Sequence, residues 1–434
     1  MKKYRNEIMP GVWLTVLNTD KFKTGHLCVK LLTALTRENA SKNAVLPSVL
    51  RRGSVRYPDM DALAARLDDC YGATLVPTVS KAGEIQLLGL EADFIDSRYL
   101  PDGTDLTGEM AALLGEVLLH PRTRGGLLLP AYVDSEKEML LDDIRSVIND
   151  KASYAHARLR EQMFAAESYA VSSLGSEDTT ENIHYVSLSK HYRQVLASSP
   201  IEIFYIGSAD KGLVTDAVRQ ALRELPRGEI DYDIGTDIRM NTLEEQTRYY
   251  TEGLPVTQGK LCVGFRLGSC MEDPDLSALQ VLNALYGGSA GSKLFVNVRE
   301  KRGLCYYASS GIDLMKGVLT VDAGIDFDRY DEVLDQIMQQ LQAVKDGDFT
   351  ADELTIAKAT EITALRAAGE SVAGLRAFWL RQTLLGLDYG PEEAAALIDE
   401  VTREDIIAAA ADIACDAVFF LKNSDGEDAQ NHDA

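Results

Sequence analysis

The sequence predicts an α+β fold built as two related domains, and three observations carry that prediction. Strand-like and helix-like segments alternate along a chain of 434 residues, 46% of them apolar, which is ample for sizeable cores. The order strand, helix, hairpin, long helices recurs in the second half. The two hairpins also resemble one another at their ends. Tyr71-Gly72-Ala73 opens one that ends in Glu91-Ala92-Asp93-Phe94, and Gly303-Leu304-Cys305 opens one that ends in Gly324-Ile325-Asp326-Phe327. The expected division is a first domain at 1–228, a linker at 229–245, a second domain at 246–424 and an acidic tail at 425–434.

In order, Gly11–Thr19 and His26–Leu35 are rich in Val, Leu and Thr and predict strands. Asp59–Cys70 carries Leu63, Ala64 and Leu67 at helical spacing, with Asp59 placed to cap it. Thr74–Ser80 and Glu84–Glu91 predict a hairpin, and helical patterns follow at 104–119, 131–149 and 151–166. Ile201–Ile206 predicts a short buried strand and Val214–Leu225 a helix, after which Pro226, Arg227 and Gly228 punctuate the chain. In the second half Gly259–Arg266 predicts a strand, Pro274–Tyr286 a helix and Lys293–Arg302 a short helix. Cys305–Ile312 and Val318–Ile325 predict paired strands, helices are expected at 329–345 and 351–370, and Val418–Leu421 predicts a closing strand.

Composition narrows the function. Lys plus Arg is 44 and Asp plus Glu is 67, so the formal charge is −23, and such a field repels a phosphate backbone; no nucleic-acid partner is expected. No window is apolar enough for a membrane span, and Pro10 and polar residues interrupt the N-terminal stretch before any signal-length apolar run; a cytoplasmic location is expected. The six cysteines are sparse, without a C-x-x-C pair, which predicts reduced and mostly buried thiols rather than a zinc ribbon.

Residues 286–309 read YGGSAGSKLFVNVREKRGLCYYAS. A glycine-rich turn leads into a short amphipathic helix with the Leu294-Phe295 pair. Its basic last turn, Arg299–Arg302, suits the negative end of the helix dipole, and Gly303 stops it before an aromatic strand. Gly287–Gly291 also matches G-x-S-x-G formally, but a helical pattern precedes it where a nucleophile elbow needs a strand, so Ser289 is read as a loop residue. This segment resembles the second domain of the pitrilysin/insulinase zinc peptidases, the inverted zincins with an H-x-x-E-H motif. The resemblance implies two homologous domains like those of the mitochondrial processing peptidase, each a mostly antiparallel sheet covered by helices, forming a clam shell around an extended peptide substrate. It also implies that Arg299 and Tyr306 contact the substrate carbonyl and the oxyanion. A guanidinium and a phenol are chemically suited to those tasks.

The same resemblance places the zinc motif at Ala44-Val45-Leu46-Pro47-Ser48, where every functional residue type is wrong. Ala44 and Ser48 stand for the two imidazoles and Pro47 for the general base; Pro47, lacking an amide hydrogen, is expected near the helix start or at a kink. Glu136 and Asp143 occupy the slots of the later carboxylates, seven residues apart on one helix face and expected to be solvated. No two of the six histidines (His26, His120, His156, His184, His191, His432) lie three or four apart. The chain itself is therefore expected to bind no metal.

The resemblance thus implies the zinc-free subunit of a heterodimeric peptidase. Zinc would sit in a homologous H-x-x-E-H partner, and this chain, a homodimer at most when isolated, would lend Arg299 and Tyr306 to a composite site. Two alternatives are a peptide-binding or scaffolding pseudo-peptidase and, less favoured, an active peptidase with an altered metal site.

Overall fold

A computed structural model describes residues 1–268, 271 and 276–424. Cys270, the predicted helix start at Pro274, and the acidic tail with His432 lie outside the described residues. The chain divides into two compact units. One comprises Met1–Arg145 with Val171–Thr236, and the other Ser146–Ala170 with the chain from Asp237 onward.

The first unit is built on strands β1 (Lys2–Met9), β2 (Val12–Asn18), β3 (Thr24–Ala34), β4 (Thr74–Ala82) and β5 (Ile85–Ile95), a two-residue ladder of β6 (Thr123–Arg124) with β7 (Leu127–Leu128), and β8 (Ile201–Gly207). The six long strands form one sheet in the order β1-β2-β8-β3-β5-β4. β8 is buried along its whole length and β3 along most of it, which is why both read as continuous apolar runs; β1, at the edge, is polar and charged. The chain's first helices are α1 (Ala40–Arg51), α2 (Met60–Asp69), α3 (Leu106–Leu119), α4 (Pro130–Ser146) and α5 (Lys151–Met163), followed by α6 (Glu177–Glu181), α7 (Tyr185–Ser198) and α8 (Lys211–Ala221). Asp59 caps α2 as expected, accepting from the Ala62 amide at 2.9 Å. Leu27, Val29 and Leu31 of β3 pack with Val45, Leu46 and Val49 of α1 and with Leu113, Leu114 and Val117 of α3 in one core.

The second unit contains β9 (Arg248–Leu254), β10 (Gly259–Arg266), β11 (Cys305–Asp313), β12 (Val318–Ile325) and β13 (Ala414–Asn423), ordered β11-β12-β10-β13-β9. Its helices are α9 (Ser277–Asn283), two π-helical segments at Ala284–Gly288 and Leu294–Glu300, α10 (Tyr330–Lys345), α11 (Ala351–Ala368), α12 (Val372–Leu384), α13 (Pro391–Glu400) and α14 (Arg403–Ala410).

The duplication is visible in the strand order. Read from the hairpin edge, β4-β5-β3-β8-β2 matches β11-β12-β10-β13-β9 strand for strand. In both, three antiparallel pairings are followed by one parallel pairing. β1 adds a sixth strand to the first sheet alone.

The contiguous domain ranges expected from sequence miss one exchange. α5, on the N-terminal side of the linker, belongs to the second unit. Ala155, Leu159, Met163 and Phe164 share a core with Cys262, Val318, Ala417 and Phe419 of the second sheet. The approach is close at Gly264, where a Cβ would lie 2.3 Å from Met163 Sδ. The turn after α5 is fastened by buried charge: Arg266 donates to Glu167 (2.7 Å) and Asp416 (2.8 Å), and Lys316 pairs with Glu167 at 2.8 Å. The stretch 229–245 forms no helix or strand. Arg227 before it ties to the carbonyls of Pro10, Leu196 and Ser199, and Thr236 accepts from the Glu84 amide, while Lys316 holds the Asp237 carbonyl.

Candidate functional site

Arg299 lies on the π-helical segment Leu294–Glu300, whose Leu294 and Val298 are fully buried and fix its inward face. Gly303 ends the segment as expected. At φ +61° it adopts a left-handed conformation that favours glycine, and its amide bonds the Arg299 carbonyl at 3.0 Å. Leu304 then turns inward and β11 begins, so Tyr306 sits on a strand and not on the helix.

Sequence could not show how Tyr306 is aimed. β11 is an edge strand of its sheet. Cys305 pairs with Ile325 and Tyr307 with Gly324, so Tyr306 is the extra residue of a β-bulge. The bulge turns it outward, and it is 60% exposed.

Arg299 and Tyr306 are adjacent in space. The Arg299 Nε donates to the Tyr306 carbonyl at 2.9 Å, and the guanidinium carbon stands 4.7 Å over the Phe295 ring, one helical turn earlier. The Arg299 side chain remains 39% exposed, with Glu300 3.4 Å from Nη1. The Tyr306 hydroxyl donates to Asp326 Oδ1 at 3.0 Å. That hydrogen bond and the carboxylate's charge raise the phenol above its ordinary pKa, so it is a hydrogen-bond donor at neutral pH. Burial pushes the neighbouring Cys305 thiol up to about 11 against the partial offset of Arg299, which favours the thiol over the nucleophilic thiolate at neutral pH. Ser289 follows a helical segment, so the G-x-S-x-G match is not an elbow.

The residues that the resemblance assigns to the zinc motif lie in or beside the first core. Ala44 and Pro47 on α1 are buried and Ser48 is half-buried. Pro47 is not at the helix start, one of the two places expected for it, for it lies inside α1 in the second half of the helix. It borders an apolar niche with Leu31, Leu50, Leu90, Leu118 and Val195. Beside Ala44, the Asn43 amide donates to Thr33 Oγ1 (3.0 Å) and Gln86 Oε1 (2.9 Å) and accepts from His191 Nε2 at 2.6 Å. Burial, helped by the charge of Lys42, lowers His191 to about 4, so it stays neutral there.

Glu136 overturns the expectation of a solvated face. It is buried, and Arg52 at the end of α1 donates to it from Nε while Nη2 reaches Ser135 Oγ at 2.8 Å. Asp143, two turns further along α4, is exposed as expected. Two carbon side chains, one hydroxyl and a carboxylate already held by arginine do not fit zinc. Among the described residues no three His, Cys, Asp or Glu side chains cluster as metal ligands.

Sequence reasoning missed the groups that hold the site. Phe295 had a signal, being four residues before Arg299 on a helix. Asp326 was noted only as a hairpin end, and the pairings of Arg52 with Glu136 and of Asn43 with His191 join residues 84 and 148 positions apart.

The comparisons with known proteins agree with this geometry. Residues 182–361 match the model for the peptidase M16 inactive domain. A protein of Bacillus subtilis described as probable inactive metalloprotease YmfF is 32% identical over 428 residues, spanning 98% of this chain and 99% of its own. Among solved structures, a conserved protein from Enterococcus faecalis V583 aligns with a TM-score of 0.87 at 30% identity, over 97% of this chain and 99% of that one. A peptidase M16 inactive domain from Pseudomonas fluorescens shares the fold, with a TM-score of 0.78 at 16% identity over 98% and 99% of the two chains. A relative 32% identical along nearly the whole chain, together with the matched inactive-domain model, places the chain in the M16 (pitrilysin/insulinase) peptidase family, as an inactive-type member whose sequence holds no H-x-x-E-H.

Proposed function

We propose that this chain is the zinc-free subunit of a two-chain M16 peptidase, lending Arg299 and Tyr306 to a composite site whose zinc ligands and general base belong to an H-x-x-E-H partner. The observation that carries this reading is the contrast in exposure within one chain. The positions of the metal motif are buried or half-buried and Glu136 is already paired, while Arg299 and Tyr306 stand next to each other on an edge strand, solvent-accessible and bulged outward. A structural tyrosine has no need of that geometry.

In this reading the guanidinium, steadied by Phe295 and by the Tyr306 carbonyl, directs its outer N–H groups to a substrate carbonyl. The phenol donates its hydrogen to the oxygen that gains charge as the peptide carbonyl becomes tetrahedral. The edge strand offers unpaired backbone groups to an extended peptide.

The test is hydrolysis of an internally quenched peptide by this chain mixed with an H-x-x-E-H homologue. Arg299→Ala and Tyr306→Phe are each expected to lower kcat by roughly 10²–10³-fold, as for loss of one oxyanion donor, with subunit association unchanged. Full hydrolysis by both variant pairs overturns the reading. A peptide-binding scaffold is the second reading, favoured by the internal partners both side chains already have. It predicts peptide binding by the chain alone and no stimulation of the partner's turnover.

A further inference from the structure

We propose that Asp326 is a brake on Tyr306, holding the phenolic hydrogen in the unengaged chain so that the hydroxyl becomes available only when the carboxylate lets go. This rests on the reading that Tyr306 serves a partner's active site.

A phenol has one hydrogen to give. Here it is given to Asp326, at 3.0 Å, and a bond to a carboxylate outcompetes one to a neutral carbonyl. The placement adds to this. Asp326 directly follows β12, the inner neighbour of β11, so the bond joins the edge strand to the end of the strand beside it. A carboxylate in that position would also repel an oxyanion arriving at the same hydroxyl.

The duplicated half shows that the fold itself does not need this contact. Asp93 matches Asp326 in the hairpin-end sequence, but by place in the fold the counterpart is Asp96, which directly follows β5 and heads a short 3₁₀ turn as Asp326 does after β12. It caps that turn through the Arg98 amide (3.1 Å) and accepts from the Ser208 hydroxyl (2.7 Å). Asp326 heads the turn Phe327–Arg329 with no side-chain cap bond, its carboxylate turned instead to the phenol. The second copy thus uses an aspartate at a capping position to hold a tyrosine.

Two measurements on the full-length chain and its pair test this. In the chain alone, labelled at tyrosine Cζ with Tyr306→Phe as the assignment control, Asp326→Ala is expected to bring the Tyr306 phenol down toward its ordinary pKa of about 10. In the pair, with the quenched peptide as substrate, Asp326→Ala is expected to raise kcat by roughly two- to tenfold, the scale of one net hydrogen bond at an exposed site. Asp326→Asn, which keeps a weaker neutral acceptor, should fall between. The double variant with Tyr306→Phe should show no rise, because the brake has nothing left to hold. A lower or unchanged kcat in Asp326→Ala overturns the brake while leaving the composite-site reading intact. Full activity in Tyr306→Phe overturns the brake and the phenol's part in the composite site.

Discussion

The two units share one strand order but treat their polar residues in opposite ways. In the first, the positions that the resemblance assigns to a metal site are packed or paired: Pro47 borders leucines, the neighbouring Asn43 is held by Thr33, Gln86 and His191, and Glu136 is closed by Arg52. In the second, the polar residues of the hairpin edge have stayed outside. The comparison teaches what a buried polar group demands: Asn43 and Glu136 each have their partners, since a buried carboxylate or amide without one is costly. An outward Arg and Tyr incur no such cost, and burial does not account for the placement of Arg299 and Tyr306 side by side at the sheet edge.

Three experiments break or sharpen that comparison. The largest effect is expected from separating the copies. A chain beginning at Asp237 keeps all five strands of the second sheet but lacks α5. Leu159, Met163 and Phe164 alone contribute roughly 5–9 kcal/mol of burial, against a net stability of about 5–15 kcal/mol. The shortened chain is expected to melt without cooperativity and to bind a hydrophobic dye, and a peptide spanning 146–170 should restore it. Cooperative melting of the isolated second copy would show the two to be independent after all.

The pairing in the first unit is probed by Arg52→Ala, which leaves Glu136 buried without its cation. The pair is partly open to solvent on the arginine side, so the expected loss is about 1–3 kcal/mol, below that of a fully buried pair, and is read by urea unfolding. Glu136→Gln with Arg52→Ala should recover part of it. An unchanged midpoint would mean that the pairing is incidental.

The smallest effects come from pH, and two histidines of the first unit act in opposite directions. His191 is held down to about 4 when folded, so the unfolded chain binds the extra proton and stability falls as pH drops from 6.5 toward 4, by up to about 3 kcal/mol. His26 is the reverse. Burial opposes its charge, but bonds to Asp93 and Cys28 raise it to about 9, so its contribution is complete below pH 6.5 and is lost as pH climbs through 9. Asp93 is half exposed and water screens the pair, which holds that swing to about 1–2 kcal/mol. Unfolding free energies from pH 4 to 10 should peak near 6.5. His191→Gln should flatten the acid limb and His26→Gln the alkaline one.

Elements whose burial is periodic or continuous were legible in the sequence. β3, β5, β10 and β12, and helices such as α2 and α10, follow the apolar pattern that predicted them. β1 was not, because KKYRNEIM is an edge strand whose side chains are polar on both faces. β9, with alternate residues exposed, was hidden beside the linker. Helices α7 and α12–α14 were also left unread. The membership of α5 was illegible for another reason: a helix's apolar face says that it must be covered, not which sheet covers it. Arg299 and Tyr306 were found through resemblance, with Gly303 as the one physical clue that they sit on different elements. The bulge at Tyr306 and the grip of Asp326 depend on register between strands, which no local pattern reports.

β13 lies between β10 and β9, so the second sheet stays split until residues 414–423 have been synthesised. α5 leaves the ribosome about 250 residues earlier, and at 5–20 residues per second it waits roughly 12–50 s for the surface it is to cover. For that interval a nascent chain carries an amphipathic helix with no seat, beside a first half that can already close. Chaperone engagement during translation should therefore concentrate on the span from α5 to β13.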